Sequence, residues 1–165
     1  AQLRRAGVTV GLGVDNPSLN PDVDLIAEAR WAARLARLRD GDPRAGGQLD
    51  EAALLRMMTV DGARCLGLDQ EIGRLRPGMR ADVTVLDAAG PHWWPRVNDW
   101  PAAVVRHARA SDVRHVLVDG RWVLRDGRWV LRDGAATWLG AGALGALRAD
   151  AERAATGLLA RAGLT

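Results

Sequence analysis

The chain has 165 residues, of which 48% are hydrophobic and 26% charged, values typical of a globular domain rather than a disordered one. No run of 18 apolar residues occurs, so we expect no transmembrane helix and no membrane partner. All 23 basic residues are arginines interspersed with 20 acidic residues, and the net charge is only +3, which argues against nucleic-acid binding. The glycine-rich N-terminal segment is unlike a secretion signal, which indicates a cytoplasmic chain that begins within a larger protein.

The N-terminal segment predicts one β/α unit. Residues 7–13, GVTVGLG, are a β-branched run bounded by glycines, typical of a buried strand in a parallel sheet. A loop rich in Asp, Asn and Pro leads into a helix over about 24–40, with Asp22 or Asp24 as its cap. The helix is predicted to bury one apolar face, formed by Leu25, Ala29, Ala32 and Ala36 and widened by Trp31, Leu35 and Leu38.

Two shorter helices follow a linker that contains Gly and Pro. Asp50 is placed to cap a helix over 51–57, and residues 59–68 predict another. Cys65 in this second helix is expected to be buried and chemically inert. A single cysteine excludes an intrachain disulfide and a cysteine-cluster zinc site.

The second half of the chain predicts antiparallel strands and a terminal helix. Residues 81–86 predict one strand, and residues 113–132 predict a three-stranded meander with tight turns at Asp119-Gly120 and Asp126-Gly127. The terminal helix is predicted to be amphipathic, with Leu144, Leu147, Ala151, Ala154 and Leu158 on one face.

The heptad RWVLRDG occurs twice in succession, at 121–127 and at 128–134. Seven residues are too few for the repeat unit of a solenoid, which needs about 20 or more. A small in-frame duplication is the favoured interpretation, and a designed or selected hairpin pair is the alternative. We expect the second copy to be a dispensable edge strand.

Candidate chemistry is concentrated after the first predicted strand. Asp15 directly follows that strand, and catalytic groups of β/α barrels gather at the carboxyl ends of the strands. Asp15 is therefore a candidate metal ligand or general base, although Asp before Asn-Pro is also a common turn former. Asn16, Asn20 and Asp22 lie in the same loop, where they either contact a substrate or cap the loop.

Three segments together resemble the metal-dependent amidohydrolases, in particular their cytosolic deaminase and chlorohydrolase branch. VTVGLGVDNPSLNPDVDLIAEARWAARL resembles the eighth strand, loop and helix of the barrel in that family. TVDGARCLGLDQEIGRLRPGMRADVTVLD resembles the segment that follows, and VRHVLVDGRWVLRDG resembles the closing hairpin of the flanking β-sandwich. The resemblance covers about residues 5–134.

The resemblance implies an α/β fold made of part of a larger protein. Residues 1–45 would form the last β/α unit of a TIM-type barrel, and 46–69 the connecting helices. Residues 70–135 would form part of the β-sandwich, a composite domain, and 136–165 the C-terminal helix. Such a fragment would need the N-terminal part of the barrel as its partner, and the family also allows a homo-oligomer.

The implied function is metal-dependent hydrolysis of a non-peptide C–N bond, with deamination of a purine- or triazine-like small molecule by a metal-activated water. Asp15 occupies the family position that binds or adjoins the metal, Zn or Fe, and moves protons. The family's histidine ligands lie upstream of residue 1, so we expect this chain alone to be inactive and to bind no metal stably. The alternative is a non-catalytic structural or binding module derived from an amidohydrolase tail.

Other notable residues are expected to be structural. His92, His107 and His115 form no H-x-H pattern and lie after the barrel unit, so surface or core roles are favoured over metal ligation. Asp82 and Asp87 flank a strand and are expected to support it. Adjacent tryptophans at 93 and 94 are expected to pack between layers, with a ligand site as the alternative.

Overall fold

A computed structural model describes residues 2–16, 22–40, 49–94, 98–132, 135–136 and 143–161. The α-helices are α1 (Gln2–Arg5), α2 (Leu25–Asp40), α3 (Glu51–Met58), α4 (Val60–Cys65), α5 (Trp100–His107) and α6 (Ala143–Arg161). Short 3-10 helices span Pro91–Trp93 and Ala110–Asp112. The strands are β1 (Val83–Leu86), β2 (Val113–Val118), β3 (Arg121–Arg125), β4 (Arg128–Trp129), β5 (Leu131–Arg132) and β6 (Ala135–Ala136). No helix in these ranges is long and apolar enough to cross a membrane.

The strand predicted at residues 7–13 is absent, which corrects the sequence interpretation. A buried parallel strand takes its hydrogen bonds from neighbouring strands on both sides. The described part of the chain places no strand beside this segment. Its backbone instead bonds to helices, with Val8 N donating to Leu3 O and Leu12 N to Met57 O, both at 3.0 Å.

Helix α2 forms as predicted, but its buried face is narrower than predicted. Asp24 caps it by accepting from Ile26 N at 2.9 Å and Ala27 N at 3.1 Å. The helix buries Ala29 and Ala33 against α3 and α5. Three side chains expected to widen that face are instead exposed: Trp31 by 56%, Leu35 by 60% and Leu38 by 78%. These positions lie on the flank that neither α3 nor α5 covers.

Helices α2, α3 and α5 enclose the first core, which consists of Ala29, Ala33, Leu54, Met57 and Val105. Asp50 caps α3, as predicted, by accepting from Ala53 N at 2.6 Å. Glu51 joins the three helices, because Arg37 of α2 donates to it at 2.9 Å and Arg106 of α5 at 2.8 Å. Burial raises the pKa of Glu51, but the Arg106 hydrogen bond and the two arginine charges outweigh it and hold the pKa below its usual value.

The main sheet is antiparallel, with strand order β1-β2-β3-β4, and β5 pairs with β6 separately. The turns fall where predicted, at Asp119-Gly120 and Asp126-Gly127. All four of these residues have positive φ, between 50° and 74°, as type I′ turns require. The second heptad copy begins in edge strand β4, and the register pairs Leu124 with Trp129. The third strand of the meander is shorter than predicted: it ends at Trp129, and Leu131–Arg132 pair with β6 in the separate sheet.

Helix α6 lies within the predicted range 136–165 but is shorter, at Ala143–Arg161, and its predicted apolar face is not buried where the structure describes it. Ala151 and Ala154 are exposed, and the side chains of Leu144, Leu147 and Leu158 lie outside the described residues. Cys65 is also exposed, contrary to the prediction that it is buried. It lies at the C-terminal end of α4, and its thiol is 3.8 Å from the Thr9 carbonyl oxygen.

Candidate functional site

Asp15 lies exposed at the end of the segment that follows α1. Its Oδ1 accepts a hydrogen bond from Asn16 N at 2.8 Å and another from Asn16 Nδ2 at 3.3 Å. Both bonds end on the same oxygen, so among the described residues Oδ2 is the atom that remains for a ligand or a proton. The sequence placed Asp15 and Asn16 in one site, and the structure brings these two side chains into contact.

Close packing against α4 positions the segment that carries Asp15. A Cβ added to Gly11 would lie 3.2 Å from Gly62 Cα and 3.4 Å from Cys65 Sγ, so a side chain there would require α4 or the segment to shift by a few tenths of an ångström. Val10 and Leu12 pack against the first core on either side of Gly11. The segment is therefore held by packing, although it forms no strand.

The remaining polar residues of this loop differ in what the structure shows of them. Asp24 is used as the helix cap, while Asp22 is exposed at the edge of the described region. Asn20, the second predicted substrate contact, lies outside the described residues.

The described residues do not form a complete metal site. No three His, Cys, Asp or Glu side chains within the described ranges lie close enough to hold one ion. Zinc sites take three or four protein ligands, and carboxylate oxygen is one of the accepted types. Asp15 has the chemistry and exposure to supply one such ligand, and the others would have to come from elsewhere.

Two of the three histidines are engaged in structural contacts, as expected. His92 Nε2 lies 2.9 Å from Asp112 Oδ2. His115 Nδ1 accepts from Asp126 N at 3.2 Å, and its ring meets Trp122 edge-on at 5.5 Å between centroids. Asp82 is likewise structural, accepting from Asp119 N at 2.6 Å.

Asp112 is a buried carboxylate that the sequence analysis did not identify. It accepts from His92 and from Arg109 N, at 2.9 Å in both cases, and so ties the two 3-10 helices together. Burial raises the pKa of Asp112, but the hydrogen bonds from His92 and Arg109 N outweigh it and lower the pKa. Trp93 is 3% exposed and packs with Ala103 and Ala108 in a second core, as predicted for a packing role, whereas Trp94 is exposed.

Asp61 is a second buried carboxylate that the sequence analysis missed, and it links α1 to α4. Arg4 donates to it at 2.9 Å, with Arg56 at 3.5 Å and Arg64 at 3.8 Å. A charge so buried is tolerated only when paired. The sequence does contain a signal for this pairing, because Arg56 lies five residues before Asp61 and Arg64 three residues after it.

Comparison with known proteins assigns the family. The model of the amidohydrolase family matches residues 1–123. The chain therefore belongs to the amidohydrolase family, which confirms the resemblance read from its motifs. The second heptad copy, 128–134, lies beyond this match.

Individual relatives show which members of the family the chain is similar to. The chain is 42% identical over 120 residues to a 5-methylthioadenosine/S-adenosylhomocysteine deaminase of Moorella thermoacetica, covering 73% of this chain and 27% of that protein. It is 40% identical over 118 residues to a protein of the same name from Halobacterium salinarum, covering 72% and 26%. The chain thus spans about a quarter of the length of these relatives.

Two zinc-containing crystal structures share the fold. An adenosine deaminase from Xanthomonas campestris, with bound zinc, superposes with a TM-score of 0.75 at 29% identity, covering 92% of this chain and 31% of that one. An atrazine chlorohydrolase from Arthrobacter aurescens, complexed with zinc, gives 0.69 at 30% identity, covering 79% and 28%. The mixed α/β arrangement with an antiparallel sheet is thus that of amidohydrolase structures.

Proposed function

We propose that this chain is the C-terminal part of a metal-dependent deaminase that hydrolyses a C–N bond of an N-heterocyclic small molecule. In the full-length protein, where neighbouring barrel strands would supply the partners that residues 7–13 lack here, residues 1–45 contribute the last β/α unit of its barrel, and 46–69 the connecting helices. Residues 70–135 contribute part of its β-sandwich, and 136–165 its terminal helix. Family membership and the deaminase names of the relatives support this proposal.

The exposed carboxylate of Asp15 is the observation that carries the proposal. Its Oδ1 is held by Asn16, and Oδ2 is left for chemistry. The packing of Gly11 against α4 fixes the segment just before it. A positioned carboxylate without a salt-bridge partner in the described region has the arrangement of a general base or metal ligand rather than of a structural ion pair.

Asp15 acts by holding and moving a proton. A bound zinc or iron ion would supply a water molecule whose pKa is lowered towards about 7. Asp15 accepts a proton at Oδ2 from the water that attacks the ring carbon, while Asn16 keeps the carboxylate in place. It then gives that proton to the amine nitrogen, which leaves as ammonia as the C–N bond breaks. Asn16 and Asn20 contact the substrate from the same loop. The amine-bearing ring of a purine-type compound fits the deaminase relatives better than a chlorinated triazine does.

The test is a substitution in the full-length protein that contains this chain. Asp15→Asn keeps the size and the bonds from Asn16 but removes the basic oxygen. We expect kcat for ammonia release from 5-methylthioadenosine to fall by about 10²- to 10⁴-fold, with an unchanged circular dichroism spectrum. Asp126→Asn, at an exposed aspartate in the turn between β3 and β4, is the control and should retain activity. Near-parental turnover in Asp15→Asn would overturn the proposal.

The absence of a ligand cluster within the described ranges favours a second proposal for the 165-residue chain by itself, as a non-catalytic module. We expect the purified chain to carry far less than one zinc per molecule by elemental analysis and to release no ammonia from adenosine-type substrates. Stoichiometric zinc together with deaminase activity would show that the ligands lie within this chain.

A further inference from the structure

The two heptads are identical in sequence and follow one another directly, so either has the side chains needed to pair with β2. Residues 121–127 and 128–134 have the same side chains in the same order. The structure uses the first copy as β3, the partner of β2. In the second copy, Arg128–Trp129 form the edge strand β4, and Leu131–Arg132 pair with β6 in a separate sheet. Nothing in the side chains themselves determines this choice.

Each contact that β2 makes with the first copy involves a residue that has an identical counterpart seven positions later. The register pairs Leu117 with Trp122 and Val116 with Leu124. His115 contacts the Trp122 ring, and its Nδ1 accepts from Asp126 N. The counterparts of Trp122, Leu124 and Asp126 in the second copy are Trp129, Leu131 and Asp133.

Backbone bonds at the end of the first copy also have equivalents. Gly127 N donates to Arg114 O at 2.8 Å, and Gly134 occupies the same position in the second copy. The guanidinium of Arg125 lies 5.4 Å from the Trp122 ring centroid, and Arg132 stands in the same relation to Trp129 in the sequence.

We propose that the two heptads exchange as partners of β2, so that the sheet has two registers. In the major register, residues 121–127 pair with β2 after the tight Asp119-Gly120 turn. In the minor register, residues 128–134 take the same place, and residues 119–127 become a loop. Bonds from Asp119 N to Asp82 and from Gly120 N to Ala81 O hold the beginning of that loop in both registers.

Loop closure sets the balance between the registers. The major register closes a two-residue turn and the minor one a nine-residue loop, which differ by roughly tenfold in closure probability. The major register also keeps the pairing of Leu124 with Trp129 and of Arg125 with Arg128, and the bond from Val130 N to Val123 O. Fewer than about one molecule in ten therefore adopts the minor register. That register becomes populated when a substitution destabilises the pairing of the first copy with β2.

A charge placed in the first copy should reverse this balance. Leu124 is half-buried opposite Val116, so Leu124→Asp penalises the major register by more than the tenfold advantage of its turn. The full chain, labelled with ¹⁵N and ¹³C, is examined by NMR for contacts of the His115 ring. In Leu124→Asp we expect the nuclear Overhauser effect from His115 to move from Trp122 to Trp129. The matched variant Leu131→Asp should keep the contact with Trp122.

The outcomes are distinct. A His115 contact with Trp129 in Leu124→Asp, absent in the variant that combines it with Leu131→Asp, establishes the exchange. A contact that stays with Trp122, the loss of both contacts, or failure of Leu124→Asp to form the sheet overturns it, because the second copy would then be unable to replace the first.

Discussion

The β2–β3 hairpin and residues 7–13 were both predicted as strands, and only the hairpin forms strands. The hairpin finds its partner across a two-residue turn, with register fixed by Asp119 and Gly120 in the left-handed conformation. Residues 7–13 have the composition of a parallel strand, whose partners always lie a dozen or more residues away in the chain. The contrast teaches that a strand-like composition produces a strand only where the partner backbone is present.

Hydrogen exchange gives the largest expected difference between these two regions. In the 165-residue chain, amides of β2 and β3 should exchange about 10³-fold or more slowly than those of residues 8–14, since only the sheet amides require extensive unfolding to open. Leu12 is an internal control, because its N–H is bonded to Met57 O and should be slower than its neighbours. Equal protection of residues 8–14 and β2 would remove the contrast.

Removal of a core side chain tests what holds segment 8–16 without strand partners. Leu54 is completely buried in the first core, against which Val10 and Leu12 pack. Leu54→Ala should lower the free energy of unfolding by about 2–5 kcal/mol in urea titrations. Leu66→Ala, at a side chain that is 72% exposed, should change it by less than about 0.5 kcal/mol. Equal effects would show that this core does not support the fold.

The buried Asp112 stabilises the junction between the 3-10 helices and the sheet. Asp112→Asn should cost about 1–3 kcal/mol at pH 7, because it weakens the bonds from His92 and Arg109 N. The pKa of Asp112 is lowered on folding, so its contribution is present above the unfolded pKa and is lost as the pH falls below about 4.

The free energy of unfolding measured as a function of pH in the acid range tests whether the pKa of Asp112 is lowered on folding. Below about pH 4 the free energy of unfolding should fall less steeply in Asp112→Asn than in the parent. Asp126→Asn, at an exposed carboxylate, should leave nearly unchanged both the free energy of unfolding at pH 7 and its decrease at acid pH. A steeper decrease in Asp112→Asn would contradict the assignment.

The smallest effect is expected from the duplicated heptad. Deleting residues 128–134 leaves one complete copy after β2 and should change the free energy of unfolding by about 1 kcal/mol. Deleting 121–127 produces the same amino-acid sequence, so the two deletions are one experiment. Loss of folding would mean that the second copy is an essential part of the sheet.

Local signals explain what the sequence predicted well. Caps at Asp24 and Asp50 and turns at two Asp-Gly pairs depend on neighbouring residues, and all formed as predicted. The motifs also identified the family before any comparison, because their spacing extends over three segments.

Errors arose where tertiary partners decide the outcome. The strand at 7–13, the burial of Cys65 and the wide apolar face of α2 each depend on which surfaces cover them. The carboxylates of Asp61 and Asp112 were missed because their partners, such as Arg4 and His92, are brought to them only by folding.

The proposed role of Asp15 requires its carboxylate to lie at the metal in the full-length protein. The measurement is a crystal structure of the zinc-loaded full-length protein, with the ion located from anomalous scattering. We expect a carboxylate oxygen of Asp15 at about 2.0–2.2 Å from zinc, or in a hydrogen bond with the water bound to it. An Asp15 carboxylate that points to solvent, away from a metal held by other residues, would contradict the proposed role of Asp15.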